Sequence, residues 1–348
     1  PLGREGTSFT FSINGVKVFA KGANWVPADS MIPSVTNEKY ESLLRQAQKA
    51  NINILRIWGG GIYENDYFYD LCDELGIMVW QDFMFACAQY PEDEDFLKEV
   101  ELEAEYNIKR LRNHPSIVIW CGNNENQWLV WKGAYEGERL YGWKIYHEIL
   151  PKLCEKLDGT RPYWPSSPYG GRYPNSPWRG NRHSYRVFVG DIDTDAIETA
   201  FDDVGFIHYR NYIEEYAKFI SEFGAFLESP DVDVLKKFIS EDKLHPRSES
   251  WIFHSGFAWY KTPFYEILEM LIKYIYGEET LKEAIANPEL YATLSQEIKC
   301  EGLSYGIEHF RRRKFYCSGC MFWMLNDAWP SISWSIIDYF LNPKASYY

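Results

Sequence analysis

Two glutamates, Glu125 and Glu222, each follow a short apolar run that is typical of a buried strand, SIVIWCG before Asn124-Glu125 and AKFIS before Glu222. Two carboxyl groups that face one pocket can divide acid–base and nucleophilic work between them. Glycoside hydrolysis requires such a pair, since one group protonates the leaving oxygen while the other attacks the anomeric carbon or activates water. For a single glutamate in isolation, helix capping or a salt bridge is the simpler interpretation.

Charged side chains at two other strand ends could tune this pair. Arg56 lies near the C-terminal end of a predicted strand, and we expect it to lower the pKa of Glu222 and keep that carboxylate ionised. An apolar or anionic setting would instead raise the pKa of Glu125 and suit it to acid duty. Asp82, at the end of another strand, is a candidate for binding substrate, for orienting a neighbour or for an ordinary structural hydrogen bond.

The aromatic content is high, with 14 Trp, 26 Tyr and 21 Phe. An aromatic ring can stack against the C–H face of a sugar, although most tryptophans fill core volume. Trp323 lies at a strand end and is expected to line a sugar pocket, whereas Trp58 suits the pocket and the core equally well. Asn326-Asp327 is better explained as a cap for the turn that follows it than as a sugar-binding pair.

The elements that would position these residues alternate between strand and helix. Apolar residues at helical spacing predict helices over 37–50, 64–75 and 94–112. The predicted strands span 18–25, 52–58, 77–82, 116–122, 162–166, about 181–188, 217–223 and 318–325. Alternating elements of this kind indicate βαβ units and a parallel sheet. We therefore predict a (β/α)8 barrel, preceded by a hairpin at 9–19 and with a mostly helical insertion at about 230–310 between strands seven and eight. An open doubly wound sheet is disfavoured because the first turn lacks Gly-x-Gly-x-x-Gly.

Composition excludes several classes of partner. The chain has 50 acidic and 36 basic residues, a formal charge of −14, whereas nucleic-acid binding normally needs a basic surface. It contains no apolar run of about 18 residues, so no membrane span is expected. Seven scattered cysteines, together with the lack of an acceptor site for N-glycosylation, favour a cytoplasmic location. Cys317-x-x-Cys320 has no second pair to complete a zinc site, so neither a metal nor a cofactor is expected.

Several strings make the sequence recognisable. It resembles the catalytic barrel of glycoside hydrolase family 2, and more narrowly its β-mannosidase branch, over roughly residues 10–340. The strings that carry the resemblance are GANWVPADSMIP, NILRIWGGGIYENDYFYDLCDELGIMVWQDFMFACAQYP, LRNHPSIVIWCGNNEN, SSPYGG, FISEFGA and MFWMLNDAWPSISWS.

The resemblance implies a retaining exo-β-D-mannosidase that needs no cofactor and acts on terminal β-mannose of a mannoside or manno-oligosaccharide. By position, Glu125 corresponds to the acid/base, Glu222 to the nucleophile and Asn124 to the residue that holds the sugar 2-hydroxyl. His183 and Tyr185 correspond to sugar-pocket residues, in a segment that reads GNRHSY where the branch usually has Gly-Asp-x-His-x-Trp. The two carboxyl groups of a retaining pair are expected to lie about 5–5.5 Å apart.

The family normally places β-sandwich domains before and after the barrel. We expect residues 1–348 to form a single barrel domain that lacks those sandwiches and keeps surfaces for docking them. Because the chain begins at Pro1 and not at Met, we expect it to be a processed product or a part of a longer protein whose targeting signal is missing from the sequence. Two alternatives stay open: another family 2 exo-β-glycosidase, and a carbohydrate-binding barrel without turnover.

Overall fold

The protein is described by a computed structural model. The residues it describes are 6–134, 139–185, 187, 204–224, 226–255, 258–259 and 262–348. A hairpin opens the chain, with Phe11–Ile13 paired antiparallel to Val16–Val18. Asn14 and Gly15 form its turn with φ of 51° and 80°, which is the conformation that an Asn-Gly turn favours.

An eight-stranded parallel sheet forms the centre of the molecule, and with its helices it is a (β/α)8 barrel as predicted. Its strands, numbered here along the chain, are β1 Ala20–Trp25, β2 Ile54–Ile57, β3 Met78–Asp82, β4 Ile117–Cys121, β5 Tyr163–Trp164, β6 Arg182–Ser184, β7 Ile220–Phe223 and β8 Gly319–Phe322. Strand β8 pairs with both β1 and β7, so the last strand closes back on the first. Each strand lies within its predicted span, although residues 186 and 188 of the span predicted for β6 lie outside the described residues.

The strands are buried on both faces, which explains their continuous apolar character. All residues of β2, β7 and β8 are buried. Inside the barrel, Trp80 and Phe219 pack with Phe9 and Phe11 of the N-terminal segment, and the ring centroids of Phe9 and Phe219 are 5.1 Å apart. These four aromatic residues fill the end of the barrel at which the strands begin. The opposite end is where the predicted site residues lie.

Ten helices are described around and beside the sheet. They are α1 Asn37–Lys49, α2 Asp66–Leu75, α3 Glu94–Leu111, α4 Asn126–Trp131, α5 Leu150–Leu157, α6 Val232–Leu235, α7 Glu249–His254, α8 Phe264–Tyr276, α9 Glu278–Ala286 and α10 Pro288–Arg312. Helix α1 shows why the helical spacing of apolar residues predicted it correctly. The side chain of Thr36 accepts a hydrogen bond from Lys39 N–H and caps the N-terminus, and Leu43, Leu44 and Ala47 on the apolar face are buried.

The predicted insertion between the last two strands is confirmed, since α6 to α10 all fall between β7 and β8. Helix α10 is its longest element, with 25 residues, and it packs along the barrel and the C-terminal turn Ala345–Tyr347. Among the described helices, none combines the length and the apolar character that crossing a membrane would require.

Candidate active site

The two predicted glutamates meet at the C-terminal end of the strands. Glu222 lies within β7, and Glu125 follows β4 as the N-cap of α4. Both are buried, with exposed fractions of 3% and 7%. Glu125 has a left-handed backbone with φ of 64°, which is uncommon for a residue other than glycine and is typical of functional sites. Its backbone N–H donates to Ser167 O at 2.8 Å, which ties the turn to the segment after β5.

Arg56 organises the floor of this pocket from β2. Its guanidinium is fully buried and donates to Glu222 Oε1 at 2.5 Å and to Asn124 Oδ1 at 2.7 Å. It also donates to Asn24 Oδ1 at 2.9 Å, so it holds residues of three different strand ends in one arrangement. The residue that was expected to act on Glu222 therefore contacts it directly.

Asp82 is also fully buried, and donors from the protein surround its carboxylate. Arg56 Nη2 donates to it at 2.8 Å, Trp80 Nε1 at 2.9 Å and the backbone N–H of Gly59 at 3.1 Å. The sequence left three roles open for Asp82: binding substrate, orienting a neighbour or making a structural hydrogen bond. These contacts fit the orienting role, because Asp82 holds the guanidinium that contacts Glu222.

His183 of β6 lies between the two glutamates. Its Nδ1 is 2.6 Å from Glu125 Oε1 and 3.4 Å from Glu222 Oε2. Burial, together with the charge of Arg56, lowers the pKa of His183 well below its usual range, so the imidazole is neutral. We assign the Nδ1–H tautomer, in which Nδ1 donates to Glu125 Oε1, an atom that accepts in the carboxylate and also in a carboxylic acid protonated on Oε2; Nε2 then accepts from Ser167 Oγ–H at 3.1 Å.

The electrostatic settings of the two glutamates differ. Burial and the nearby Glu222 raise the pKa of Glu125 to about 8, although Arg56 opposes them. Burial also raises the pKa of Glu222, and there Arg56 and a hydrogen bond from Tyr185 act in the opposite direction. Arg56 thus lowers the pKa of Glu222 as expected, but burial outweighs it. Of the pair, Glu125 has no direct cationic partner and is the group suited to carry a proton at neutral pH.

Tyr185 and Asn124 complete the contacts of the glutamates. The hydroxyl of Tyr185 donates to Glu222 Oε2, and burial beside that carboxylate raises the pKa of the phenol well above its usual range. Asn124 accepts from Arg56 through Oδ1, while its Nδ2 donates to Cys87 Sγ at 3.3 Å. The sulfur of Cys87 in turn lies 3.6 Å from Glu125 Oε2.

Sequence reasoning missed Cys87 and a group of three buried polar side chains behind His183. Ser167 Oγ lies 2.9 Å from both Asn181 Oδ1 and Ser221 Oγ, and Ser221 Oγ donates to Asn181 Oδ1 at 2.7 Å. Ser221 immediately precedes Glu222, and Asn181 lies two residues before His183, so their neighbours in sequence were the available signal. Their link to one another depends on closure of the barrel.

Trp58 and Trp323 form one wall near the mouth of the barrel. Their rings meet edge to face, with centroids 5.3 Å apart. Both line a cavity of about 440 Å³ that Trp329 and Trp334 also border. A Cβ on Gly60 would lie 2.1 Å from the Trp58 ring, so the glycine loop is what allows this ring to fold over its own backbone.

Asn326 and Asp327 make structural contacts. Asn326 Nδ2 donates to Val26 O at 2.9 Å, and Asp327 accepts from the hydroxyls of Ser333 and Ser335. These bonds shape the segment after β8, in agreement with the capping interpretation.

Two clusters of three side chains have a geometry that could hold a metal ion within the described part of the chain, and neither includes Cys317 or Cys320. They are Asp70, Asp73 and His114, on the outer layer, and Glu125, His183 and Glu222, in the pocket. In the pocket, Nδ1 of His183 is already engaged in a hydrogen bond with Glu125 Oε1 at 2.6 Å. The hydrogen bonds therefore favour proton chemistry for these three groups.

A (β/α)8 barrel with two close, buried carboxyl groups at its C-terminal end is typical of the glycoside hydrolases. Residues 9–164 match the sequence model of a protein family described as glycosyl hydrolases family 2, TIM barrel domain. Over these residues the chain matches the barrel domain of glycoside hydrolase family 2.

Relatives cover almost the whole chain. It is 38% identical to beta-mannosidase B of Aspergillus flavus over 99% of its own length and 40% of that protein. Beta-mannosidase B of Emericella nidulans is 37% identical with the same coverage. The chain therefore spans about 40% of the length of these relatives.

Solved structures agree with the fold. The beta-D-mannosidase of Dictyoglomus thermophilum is 48% identical and superposes with a TM-score of 0.87, over 99% of this chain and 40% of that one. An exo-chitosanase of Amycolatopsis orientalis superposes with a TM-score of 0.70 at 18% identity, over 100% of this chain and 39% of that one. The second similarity shows the shared fold alone.

Proposed function

We propose that this chain is the catalytic barrel of a retaining, exo-acting β-D-mannosidase. The observation that carries the proposal is the pair of glutamates, because a carboxylate oxygen of Glu125 and one of Glu222 lie within 4.8 Å of one another. That distance agrees with the short separation of retaining enzymes, whereas inverting enzymes leave about 6.5–9.5 Å for a water molecule. The similarity to β-mannosidases supports mannose as the glycone.

In the first step, Glu222 attacks the anomeric carbon while protonated Glu125 gives its proton to the glycosidic oxygen. The C–O bond to the leaving group breaks and a glycosyl ester forms on Glu222. In the second step, Glu125, now a carboxylate, takes a proton from water as that water attacks the anomeric carbon. The ester bond breaks, mannose leaves with the β configuration, and both glutamates regain their starting protonation states.

The surrounding residues suit this sequence. Arg56 and Tyr185 stabilise negative charge on Glu222, which the nucleophile needs before attack and regains after the ester breaks. The neutral His183 donates to Glu125 and keeps its carboxyl group oriented without adding a positive charge. Asn124 is held beside the pair by Arg56, where the family resemblance places the sugar 2-hydroxyl.

The test is the stereochemistry of mannose release. Proton NMR of a methyl β-mannoside reaction should show β-mannose first, followed by mutarotation. Glu222→Ala should abolish release, and azide added to that variant should yield α-mannosyl azide. Initial formation of α-mannose would contradict a retaining mechanism.

A substrate panel separates the alternatives. Faster hydrolysis of a β-glucoside, β-galactoside or β-glucosaminide than of the β-mannoside would indicate another family 2 exo-glycosidase. Mannose binding without hydrolysis by either the wild-type chain or Glu222→Ala would indicate a carbohydrate-binding barrel. Docking of β-sandwich domains, which the resemblance implies, stays a prediction.

A further inference from the structure

Five aromatic side chains form a partly exposed surface near Glu125 at the mouth of the barrel. This surface, called the aromatic rim below, consists of Trp131, Trp143, His147, Tyr169 and Tyr173. Trp131 is 47% exposed and Trp143 is 45% exposed. Grouped, exposed aromatic rings of this kind mark binding sites more often than isolated ones do.

Helix α4 connects the rim to the catalytic pair. Glu125 is its N-cap, and the buried ring of Trp128 packs edge to face against His183, with centroids 6.3 Å apart. Trp131 lies three residues beyond Trp128, so both side chains lie on one face of the helix. The rim therefore continues outward from the wall of the pocket.

Ring contacts build the two halves of the rim. The Trp131 and Tyr173 rings are 4.8 Å apart and tilted by 56°, while the Trp143 and His147 rings are 4.9 Å apart and stacked at 18°. Tyr169 packs on His147 at 5.9 Å. Trp131 and Trp143 thus have partners that support their rings, although each keeps nearly half of its surface exposed.

Gln127 joins the two halves. Its Oε1 lies 3.3 Å from Nε2 of His147, and it lies one helical turn before Trp131 on α4. Tyr169 and Tyr173 belong to one segment after β5, so the rim combines side chains of α4 with side chains of that segment. Burial lowers the pKa of His147, which leaves a neutral ring in contact with Gln127.

We propose that the aromatic rim binds the leaving group of the substrate, as a subsite for the second and third sugar residues of a β-linked manno-oligosaccharide. The inference rests on the proposed function. Since Glu125 protonates the glycosidic oxygen and Glu222 attacks from the opposite face of the ring, the leaving group must lie on the Glu125 side. That is the side on which α4 carries the rim.

The chemistry of the rim fits a neutral sugar chain. Exposed tryptophan faces can stack on the C–H faces of pyranose rings. Beside Trp143 lies a cavity of about 280 Å³ that is also lined by Arg139, Lys144 and Glu148, and the charged groups of these side chains can bond to sugar hydroxyls. A rim that supports stacked sugars would make the enzyme prefer oligosaccharides to small mannosides.

Kinetics with substrates of increasing length test the proposal. We expect kcat/KM to rise from methyl β-mannoside to mannobiose and mannotetraose. Trp131→Ala and Trp143→Ala should each lower the ratio of kcat/KM for mannotetraose to that for methyl β-mannoside by about 3- to 10-fold. Trp131→Tyr should restore part of the ratio. Tyr106→Ala removes a ring that is 67% exposed on α3 and is not part of the aromatic rim, and it should leave the ratio unchanged.

Binding separates this inference from the proposed function. The Glu222→Ala chain is titrated with mannotetraose and with mannose while its tryptophan fluorescence is recorded. Adding Trp131→Ala to this chain should weaken the binding of mannotetraose and leave the binding of mannose unchanged. Rim-dependent binding without hydrolysis by the wild type would support the rim and overturn the mannosidase. Hydrolysis at equal kcat/KM for all lengths would overturn the rim alone, and an unchanged affinity in folded Trp131→Ala and Trp143→Ala would do the same.

Discussion

The two sides of the catalytic pocket differ in charge although each is built around a glutamate. On the β7 side, Glu222 contacts the guanidinium of Arg56 and the hydroxyl of Tyr185. On the β4 side, Glu125 contacts the neutral imidazole of His183 and the thiol of Cys87. The charged side stabilises a carboxylate, whereas the neutral side favours a carboxylic acid.

This contrast shows that the environment assigns the roles. The side chains are identical, and burial raises the pKa of both. The difference is the direct cation, which Glu222 has and Glu125 lacks. Four predictions change one side at a time, in order of decreasing expected effect.

Replacing Arg56 should have the largest effect. Arg56→Met leaves Asp82 and Glu222 buried without their cation, so we expect a loss of about 3 kcal/mol in the free energy of unfolding. Without the guanidinium, Glu222 should also become protonated and cease to act as a nucleophile, so kcat/KM for a β-mannoside should fall by about 10³-fold or more. Urea denaturation and steady-state kinetics measure the two effects.

Arg182→Met is the matched control for that variant. Arg182 is buried and donates to Glu215 at 3.0 Å, outside the catalytic pair. It should lower stability to a similar extent, with far less effect on kcat/KM per folded molecule. Equal kinetic losses in the two variants would remove the specific role given to Arg56.

Glu125→Gln should act next most strongly. Wild-type activity on methyl β-mannoside should fall as the pH rises through about 8, because Glu125 then loses its proton. The variant should lose about 10²- to 10³-fold in kcat and show no such basic limb. Glu64→Gln, which changes another buried carboxyl group outside the pair, should keep the wild-type profile.

The same glutamate should make stability depend on pH. Its pKa is higher in the folded chain than the ordinary value of 4.5, so its contribution to stability is fully present below about 4.5 and is lost as the pH rises to about 8. We expect Glu125→Gln to flatten this part of the profile by on the order of 3 kcal/mol between pH 5 and pH 8. Thermal unfolding of both proteins at pH 5 and pH 8 measures it, and parallel pH profiles would contradict the raised pKa.

Tyr185→Phe should have the smallest effect. It removes a donor to Glu222 and leaves Arg56 in place, so kcat/KM should fall by about 10-fold. The acidic limb of the pH profile should move to higher pH, since the lost hydrogen bond had lowered the pKa of Glu222. Tyr40→Phe, which removes a hydroxyl that bonds Glu64, should leave that limb in place.

The regular half of the barrel was the easier part to predict. Between β1 and β4, apolar runs alternate with helices whose N-caps are Thr36, Asn65 and Asp93, and these side chains cap the helices as their residue types suggest. The later strands are short, two residues in β5 and three in β6, and offered a weaker pattern. Their spans were still predicted, because turn residues and apolar residues bracket them.

The links between site residues were less accessible to prediction. His183 was expected in a sugar pocket on the basis of family resemblance, yet its Nδ1 bonds to Glu125, which is 58 positions away. Cys87 and the serines behind His183 have no local pattern that marks them. Their contacts arise because parallel strands deliver distant residues to one end of a closed sheet.

The alternation of strands and helices and the places of the two glutamates at strand ends could be predicted from the sequence, because periodicity and residue type are local properties. The contact of Arg56 with Glu222 was expected, but only the tertiary structure placed the imidazole of His183 against Glu125 and buried Glu222 deeply enough to outweigh the guanidinium. This arrangement depends on angstrom-scale distances and on burial, since Coulomb interactions and desolvation act through space between residues far apart in the chain.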